Sequence, residues 1–370
     1  MWELHGENFC TVSTVRMTAA REKLGWKMDE IPPYEIRSYE SEESCARMHE
    51  AIADSDVVII GSVSDELIRK RLKQKKLTFK YAERFYKTGT PFKRFFRDAA
   101  AAWLHHGRFQ RYPLYMLCAS AYTAADAKRF GNYIGRCYRW GYFPPTMRYD
   151  EDELLAKKAN EIPVILWVGR YLKLKHPDDV LTVAARLKAE GYRFQLDFIG
   201  DGPQKPRLYQ MTQDKNLLDC VQYHGTMKPE QVREHMERAN VYLFTSDRNE
   251  GWGAVLNESM NSGCAVVASH AIGSVPFLMK HRENGLIYRS GDVDGLYRSV
   301  KYLLDNPGEQ LRMGRNAYRT ITEKWNAEEA ARRLPLLVED IKSSGVSTRF
   351  ADGPCSKAEI VKDNWFTDEE

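Results

Sequence analysis

Residues 249–258 read Asn-Glu-Gly-Trp-Gly-Ala-Val-Leu-Asn-Glu and stand between two apolar runs, 242–245 and 264–268. The apolar runs predict buried strands, the two glycines predict a loop, and the spacing of apolar residues after Gly253 predicts a helix that ends near Gly263. This is one strand–loop–helix–strand unit of a parallel sheet. Its loop should lie at the carboxyl end of a strand, where open α/β sheets bind ligands.

The chemistry of this loop favours a phosphorylated sugar. Gly251 and Gly253 let the backbone approach a ligand closely, and the helix start after Gly253 offers unpaired N–H groups that suit a phosphate. Glu250 and Glu258 would repel phosphate, so we assign them to sugar hydroxyls, which donate strong hydrogen bonds to carboxylates. The alternative is that Glu250 is a loop charge and Glu258 belongs to a solvated helix face.

The spacing of Glu250 and Glu258 closely resembles the E-x7-E signature of retaining GT-B glycosyltransferases of family 4. The resemblance covers roughly residues 160–340 and includes further short motifs in the family's order, at residues 168–170 with Lys175, 198–203, 224–225 and 284–286. It implies an α/β protein of the GT-B class, with two Rossmann-like doubly wound domains facing each other across a cleft.

The resemblance also implies roles for single residues. Arg170 and Lys175 would neutralise the departing diphosphate, because fixed cations stabilise charge that builds on a leaving group. Glu250 would complete this catalytic set by holding sugar hydroxyls, while Glu258 would hold the ribose. A catalytic imidazole at His224 is an alternative to a backbone contact there. The implied donor-binding residues are Gly169, Asp201, Gly202, His224, Gly225, Gly251, Trp252, Gly253, Ala254, Val255 and Glu258.

The length of 370 residues predicts two domains. Prolines at 144 and 145 and the acidic run 150–153 indicate a linker. We therefore predict an acceptor-side Rossmann-like domain at 1–150, a nucleotide-sugar-binding domain at 160–340, and a polar tail at 345–370 whose aromatic pair packs on the first domain. Residues 1–12 do not match the opening strand and loop of the family, which predicts that the first domain lacks its first strand–helix unit.

The composition, 43% hydrophobic and 29% charged, is that of a soluble globular protein. No apolar run approaches bilayer length and no signal-peptide pattern opens the chain, so a cytoplasmic location is expected. Seven scattered cysteines without metal-ligand spacing predict free thiols. Three Asp-x-Asp triplets occur, at 54–56, 150–152 and 292–294. None of them lies at the carboxyl end of a strand beside the donor motifs. We predict no metal and no cofactor, with the nucleotide sugar as substrate.

Residues 69–97 contain twelve Lys or Arg and one acid, Glu83, interleaved with aromatic residues. Such a stretch suits an anionic membrane surface, which predicts peripheral contact with the inner face of the membrane. Nucleic acid is set aside because no known nucleic-acid motif accompanies the cations. A solvated basic face is the alternative.

The resulting hypothesis is transfer of a hexosyl group from a UDP- or GDP-sugar to a hydroxyl of a glycan or lipid-linked glycan, with retention of configuration, as in polysaccharide biosynthesis. Two alternatives remain, because a fold does not fix a function. One is a nucleotide-sugar epimerase of GT-B fold. The other is a catalytically inactive protein that only binds a nucleotide sugar.

Overall fold

The structure is a computed structural model that describes residues 1–18, 31–87 and 92–367. The chain forms two compact units. The first comprises Met1–Trp140 and Glu328–Ile360, and the second comprises Gly141–Ala327 with the chain from Val361 onward. The division falls close to the predicted linker, but the segment from 328 to 340 lies in the first unit, outside the span predicted for it.

The described part of the first unit contains a parallel strand pair and a four-stranded parallel sheet in the order β3-β4-β5-β6. Its strands are β1 (Thr11–Ser13), β2 (Glu35–Arg37), β3 (Val58–Ile60), β4 (Thr78–Ala82), β5 (Leu114–Cys118) and β6 (Cys137–Arg139). Its helices are α1 (Trp2–His5), α2 (Glu42–Asp54), α3 (Glu66–Lys73), α4 (Phe95–His105) and α5 (Thr123–Lys128).

Strand β5 is a continuous apolar run because both of its faces are covered, as expected for a parallel sheet. Leu114 and Met116 pack in one core cluster with residues of α3 and α5. Tyr115 and Leu117, which alternate with them, point into a separate cluster on the other face. One strand thus contributes to two core clusters of the first unit.

The second unit contains a six-stranded parallel sheet in the order β12-β11-β10-β7-β8-β9, the doubly wound order expected for a Rossmann-like domain. Its strands are β7 (Val164–Val168), β8 (Gln195–Ile199), β9 (Val221–Gly225), β10 (Val241–Phe244), β11 (Ala265–Ser269) and β12 (Leu286–Tyr288). Its helices are α6 (Glu151–Ala156), α7 (Pro177–Ala189), α8 (Lys205–Asp214), α9 (Pro229–Arg238), α10 (Val255–Asn261), α11 (Val275–Leu278), α12 (Val293–Asp305) and α13 (Pro307–Arg319), and a π-helical turn (Thr320–Lys324) follows α13.

The carboxyl-terminal part of the chain belongs to both units. Helix α14 (Ala327–Ser344) buries Leu334, Leu337 and Ile341 in the cluster of the first unit that contains Leu117. The aromatic pair of the tail, in contrast, packs on the second unit. Trp365 Nε1 donates a hydrogen bond to the carbonyl of His270. The predicted position of this pair on the first domain is therefore wrong.

The basic stretch 69–97 is not one continuous solvent-facing surface, because β4 runs through its centre. Arg71 is 1% exposed and donates to the carbonyl of Leu77 at 2.7 Å. Lys80 is buried, with Nζ 2.5 Å from Asp65 Oδ1, and Arg84 is buried as well. These cations satisfy buried carbonyl and carboxylate oxygens, so the structure corrects the expectation that the whole stretch faces a membrane.

All seven cysteines are free, as their scattered positions predicted. Among the helices in the described ranges, none combines the length and the apolarity that crossing a bilayer requires. The prediction that a first strand–helix unit is missing stays a prediction.

Candidate active site

The candidate site lies at the carboxyl edge of the second sheet, between β7 and β10. These two strands are neighbours at the centre of the sheet, while β8 extends it on one side and β11 on the other. The loops that follow β7 and β10 therefore lead to opposite sides, and this topological switch point leaves a crevice in which open α/β sheets bind ligands. The loop after β7 contains Arg170 and Lys175, and the loop after β10 contains Glu250.

Lys175 and Glu250 form an ion pair that joins the two loops. Lys175 Nζ lies 2.5 Å from Glu250 Oε2, and the two side chains are 14% and 17% exposed. Ser246 Oγ donates a second hydrogen bond to the same oxygen at 3.0 Å. Hydrogen bonds to a charged acceptor are the stronger kind, so the Glu250 carboxylate is held in one position.

The backbone near this pair is fixed by the residues that end β7 and β10. Thr245 Oγ1 donates to the carbonyl of Lys175 at 2.6 Å and accepts from Trp167 Nε1 at 3.0 Å. The amide of Asp247 donates to the carbonyl of Leu174 at 2.9 Å. The two loops are therefore tied together by main-chain and side-chain bonds, as a preorganised site requires.

Two glycines of the motifs leave room for neighbouring side chains. Gly253 has φ +81°, and a Cβ there would lie 2.2 Å from Cζ of Phe244. At Gly169, a Cβ would lie 3.2 Å from Cδ of Lys175. The absence of a side chain at Gly169 thus leaves room for the lysine stem, and Gly253 lets the loop return to the sheet before α10 begins.

Arg170 is exposed at the end of β7. Within the described residues, its side chain takes part in no ion pair or hydrogen bond. An unpaired guanidinium is free to bind a phosphate through its fork of N–H groups. The loop after β7 therefore presents the exposed guanidinium of Arg170 and the carboxylate-bound ammonium group of Lys175.

Glu258 lies on α10 and is half-buried. Burial raises the pKa of its carboxyl group, and the positive charge of Arg233 opposes this shift. Within the described chain the carboxylate has no hydrogen-bond partner. Arg233 instead donates to the backbone carbonyl of Glu258 at 3.2 Å and to Asn261 Oδ1 at 3.1 Å. Arg233 therefore fixes the backbone of α10 at Glu258 and leaves the carboxylate oxygens without a partner in the described chain.

Trp252 is a core residue. Its side chain is fully buried, its ring centroid lies 6.2 Å from that of Trp325, and Nε1 donates to Asn257 Oδ1 at 2.9 Å. The carbonyl of Trp252 accepts a hydrogen bond from Ser274 Oγ at 2.6 Å. The predicted contact with the nucleotide-sugar donor therefore cannot come from the indole ring of Trp252. Only the backbone N–H of this residue is left to make it. Its neighbour Gly251 is buried, whereas Ala254 and Val255 are partly exposed where α10 begins.

The remaining predicted donor residues lie at the ends of β8 and β9. Asp201 is exposed, and the hydrogen bond from Lys205 at 2.9 Å lowers its pKa. Its other carboxylate oxygen accepts from the amide of Gly202, so it shapes the turn. The carbonyl of Gly225 accepts from the amide of Gly200. His224 Nε2 lies 3.2 Å from Asp197 Oδ1, away from the Lys175–Glu250 pair along the sheet.

Two residues of the site were absent from the sequence prediction. Ser246 could have been found, because it is a small polar residue two positions after the end of the buried strand β10. Arg233 had no local signal, because it lies on α9 and reaches α10 only in the folded chain. Ser246 holds the carboxylate of Glu250, and Arg233 holds the backbone at Glu258.

Residues 150–320 match the model of the family described as glycosyl transferases group 1. This segment contains the whole six-stranded sheet and the candidate site. Among curated relatives, the chain is 24% identical over 200 residues to N-acetyl-alpha-D-glucosaminyl L-malate synthase of Bacillus anthracis, which is 54% of this chain and 51% of the relative. The chain spans about half the length of the curated relatives it matches.

Solved structures share the fold over most of the chain. Sucrose-phosphate synthase of Thermosynechococcus elongatus has a TM-score of 0.61 at 18% identity, covering 86% of this chain and 83% of that one. HepE of Anabaena, solved in complex with UDP, has a TM-score of 0.62 at 14% identity, covering 84% and 85%. The fold is therefore GT-B, with two Rossmann-like units. The family match and the glycosyltransferase relatives further support a transferase.

Proposed function

We propose that this chain is a retaining glycosyltransferase that moves a hexosyl group from a nucleotide sugar to a hydroxyl of a glycan or lipid-linked glycan. The observation that carries the proposal is the Lys175–Glu250 pair at the switch point of the second sheet, with Arg170 exposed and unpaired in the described chain at the end of β7. The match of residues 150–320 to glycosyl transferases group 1 supports it.

The nucleotide-sugar donor binds to this edge of the second unit. Arg170 and Lys175 contact the diphosphate, Glu250 accepts hydrogen bonds from the sugar hydroxyls, and Glu258 accepts them from the ribose. The ion pair at 2.5 Å keeps Lys175 beside the sugar-binding carboxylate, so one lysine orients Glu250 and faces the phosphates. A UDP-sugar is the first donor to test, because HepE was solved with UDP.

The proposed reaction breaks the bond between the anomeric carbon and the diphosphate oxygen. The acceptor oxygen forms its bond to the same face of that carbon, and the acceptor proton passes to the leaving phosphate oxygen. Arg170 and Lys175 stabilise the negative charge that develops on the diphosphate, a contribution that preorganised groups make without reorganising during the reaction. In this proposal the two side chains do the work that a divalent ion does in other transferases.

The first unit supplies a surface suited to a lipid-linked acceptor. Phe96 is 79% exposed on α4, Trp103 is 63% exposed, and Leu104 is 43% exposed. Positions 96, 103 and 104 share one side of a helix, and the exposed cations Lys93 and Arg97 accompany them. We propose that this surface, rather than the whole stretch 69–97, contacts an anionic membrane.

The experiment is isothermal titration of the protein with UDP, GDP and ADP, together with the variants Arg170→Ala and Glu258→Ala. The proposal expects selective binding of one nucleotide that both substitutions weaken. If a folded wild-type protein binds none of the three, the donor site is wrong.

Nuclear magnetic resonance of the matching nucleotide sugar then separates the remaining functions. Without an acceptor, a change of sugar configuration would identify an epimerase. A donor that binds but stays intact with every acceptor would identify a binding protein. A product of inverted anomeric configuration would overturn retention.

A further inference from the structure

A carboxylate and two imidazoles meet at one point of the second unit, on three different elements. Asp197 lies on β8, His224 on β9 and His235 on α9. Asp197 Oδ1 lies 3.2 Å from His224 Nε2, and Asp197 Oδ2 lies 3.7 Å from His235 Nδ1. The two ring centroids are 4.6 Å apart. The three potential ligand atoms all lie within 4.8 Å of one another.

These distances suit a bound transition-metal ion. In a tetrahedral zinc site, Zn–N bonds of about 2.0–2.1 Å and Zn–O bonds of about 2.0–2.2 Å place neighbouring ligand atoms roughly 3.3–3.5 Å apart. The distances from the two carboxylate oxygens of Asp197 to the facing imidazole nitrogens, 3.2 and 3.7 Å, bracket that spacing. The three ligand atoms lie within 4.8 Å of one another, so the side chains would close around an ion by small rotations.

A second observation concerns His224. Its Nε2 is inaccessible to solvent, yet it makes no hydrogen bond of acceptable geometry within the described chain. A buried polar atom without a partner calls for an explanation, such as an ion. His224 is also the extra residue of a β-bulge, because Phe198 pairs with Tyr223 whereas Ile199 pairs with Gly225. Bulges of this kind redirect side chains next to functional sites.

We propose that Asp197, His224 and His235 bind a divalent transition-metal ion, with zinc as the best fit. Imidazole nitrogen and carboxylate oxygen are the ligands that such ions prefer, and three protein ligands leave a fourth position for water. Gln195 Nε2 donates to Asp197 Oδ1 at 2.8 Å and orients the carboxylate from the side, the role of an outer-shell partner. Asp197 is only 4% exposed, so the ion would compensate a buried charge.

The ion stabilises the fold of the second unit and does not serve the leaving group. It joins β8, β9 and α9, whereas the proposed phosphate-binding residues Arg170 and Lys175 follow β7. His224 contributes its side chain to the metal and its backbone to the proposed donor site. The metal site shares His224 with the proposed donor site, but its test measures metal binding and needs no activity measurement.

The test is zinc binding by the full-length, untagged protein after treatment with a chelator, measured by calorimetry. Substitution of zinc by Co²⁺ gives a visible absorption spectrum that reports tetrahedral coordination. We expect one equivalent to bind to the wild type. His235→Ala and His235→Gln should both weaken binding by at least about 100-fold, because even loss of an outer-shell partner costs about 10–100-fold.

The controls are His49→Ala, on the exposed side of α2, and His176→Ala, in a second group with Asp178 and Asp179. Both should leave zinc binding and the Co²⁺ spectrum unchanged. The proposal is overturned if the folded wild type binds no stoichiometric zinc, because the three side chains would then only lie close together. Unchanged binding in both His235 variants, or loss in His176→Ala alone, would overturn it as well.

Discussion

Lys175 Nζ and Glu250 Oε2 are 2.5 Å apart, and this contact joins the loop after β7 to the loop after β10. Both side chains are mostly buried, so the pair has lost part of its hydration, and the attraction between the charges has to offset that loss. Two residues 75 positions apart in the sequence are thereby fixed at the one edge of the sheet where a switch point opens a crevice.

The first prediction concerns this pair. Glu250→Gln and Lys175→Met should each lower the rate of transfer by about 10²–10³-fold, because each removes a preorganised group that acts on the transition state. The double variant should be far less impaired than the product of the two effects, since residues that act as a unit are not additive. A double-mutant cycle on kcat/KM measures this coupling. Multiplicative effects would contradict a shared role.

The second prediction compares two exposed arginines of the second sheet, one at the carboxyl end of a strand and one at the amino end of its neighbour. Arg170→Ala should lower kcat by about 10²-fold or more through lost stabilisation of the leaving group. Arg193→Ala is the matched control, because Arg193 is also exposed but lies just before β8. Neither change should alter the midpoint of chemical unfolding by much, since surface substitutions usually cost less than about 0.5 kcal/mol. Unchanged turnover in Arg170→Ala would remove this residue from the reaction.

Much of the second sheet could be predicted from the sequence because its strands are continuous apolar runs. Residues 164–168, 241–244 and 265–269 are buried on both faces of the sheet and carry hardly a polar side chain. Parallel strands covered by helices on both sides have this composition. The ends of these runs predict where the loops begin that contain Arg170, Lys175 and Glu250.

What could not be predicted depends on partners that are distant in the chain. Strand β4 was missed because Lys80 interrupts its apolar pattern, and the lysine is accommodated by its ion pair with Asp65 and a hydrogen bond to the carbonyl of His105. Trp252 was assigned to the ligand because it stands in a ligand-binding motif. It is buried because Gly141, 111 positions earlier, leaves space for the ring. Neither the contacts of Lys80 nor the space beside Trp252 can be recognised from the neighbouring residues in the sequence.

The third prediction is a pH dependence of stability caused by Glu258. Its pKa in the unfolded chain is near 4.5, and burial raises the pKa in the folded chain. Between the two values the folded state binds more protons, so stability falls as pH rises through this window. Glu258→Gln should therefore gain stability relative to the wild type as pH rises above about 4.5. At pH 7 it should also bind the nucleotide about 10–100-fold more weakly, because hydrogen bonds to a charged acceptor are lost.

Chemical unfolding of both proteins across this pH range measures the effect. Glu309→Gln is a control of opposite sign, because the hydrogen bond from Arg312 lowers the pKa of Glu309. The contribution of Glu309 is present above its unfolded pKa and is lost as pH falls, so its variant should lose stability relative to the wild type as pH rises. Parallel pH profiles of the Glu258 variant and the wild type would contradict the burial of this carboxylate.

The fourth prediction tests the packing of the signature tryptophan. A Cβ at Gly141 would lie 2.5 Å from the indole ring of Trp252. Gly141→Ala should therefore destabilise the protein by about 1–3 kcal/mol, the usual cost of overpacking a core. Gly308→Ala is the matched control, since nothing lies within 4 Å of a Cβ at Gly308 in α13. Removal of a helical glycine there should be neutral or stabilise by about 0.5–1 kcal/mol. Equal unfolding midpoints in the two variants would show that Trp252 can move aside.

The fifth prediction concerns the exposed apolar side of α4. Phe96→Ser and Trp103→Ser should each weaken binding to vesicles that contain an anionic phospholipid by about tenfold or more, because each removes an aromatic side chain that would be buried in the lipid interface. Co-sedimentation with anionic and with neutral vesicles measures the binding. Binding to anionic vesicles should also weaken with added salt, because Lys93 and Arg97 contribute through electrostatic attraction.

The control for this surface is Leu218→Ser. Leu218 is 69% exposed, as apolar as the α4 residues, and lies in the second unit, so its substitution should leave vesicle binding unchanged. Equal weakening by Leu218→Ser would mean that binding follows general surface apolarity rather than α4. If the wild type does not bind anionic vesicles at all, the proposed membrane contact of α4 is wrong and the acceptor need not be presented at a membrane. Transfer to a soluble glycan acceptor would then be the activity to measure, with Arg170→Ala as its inactive reference.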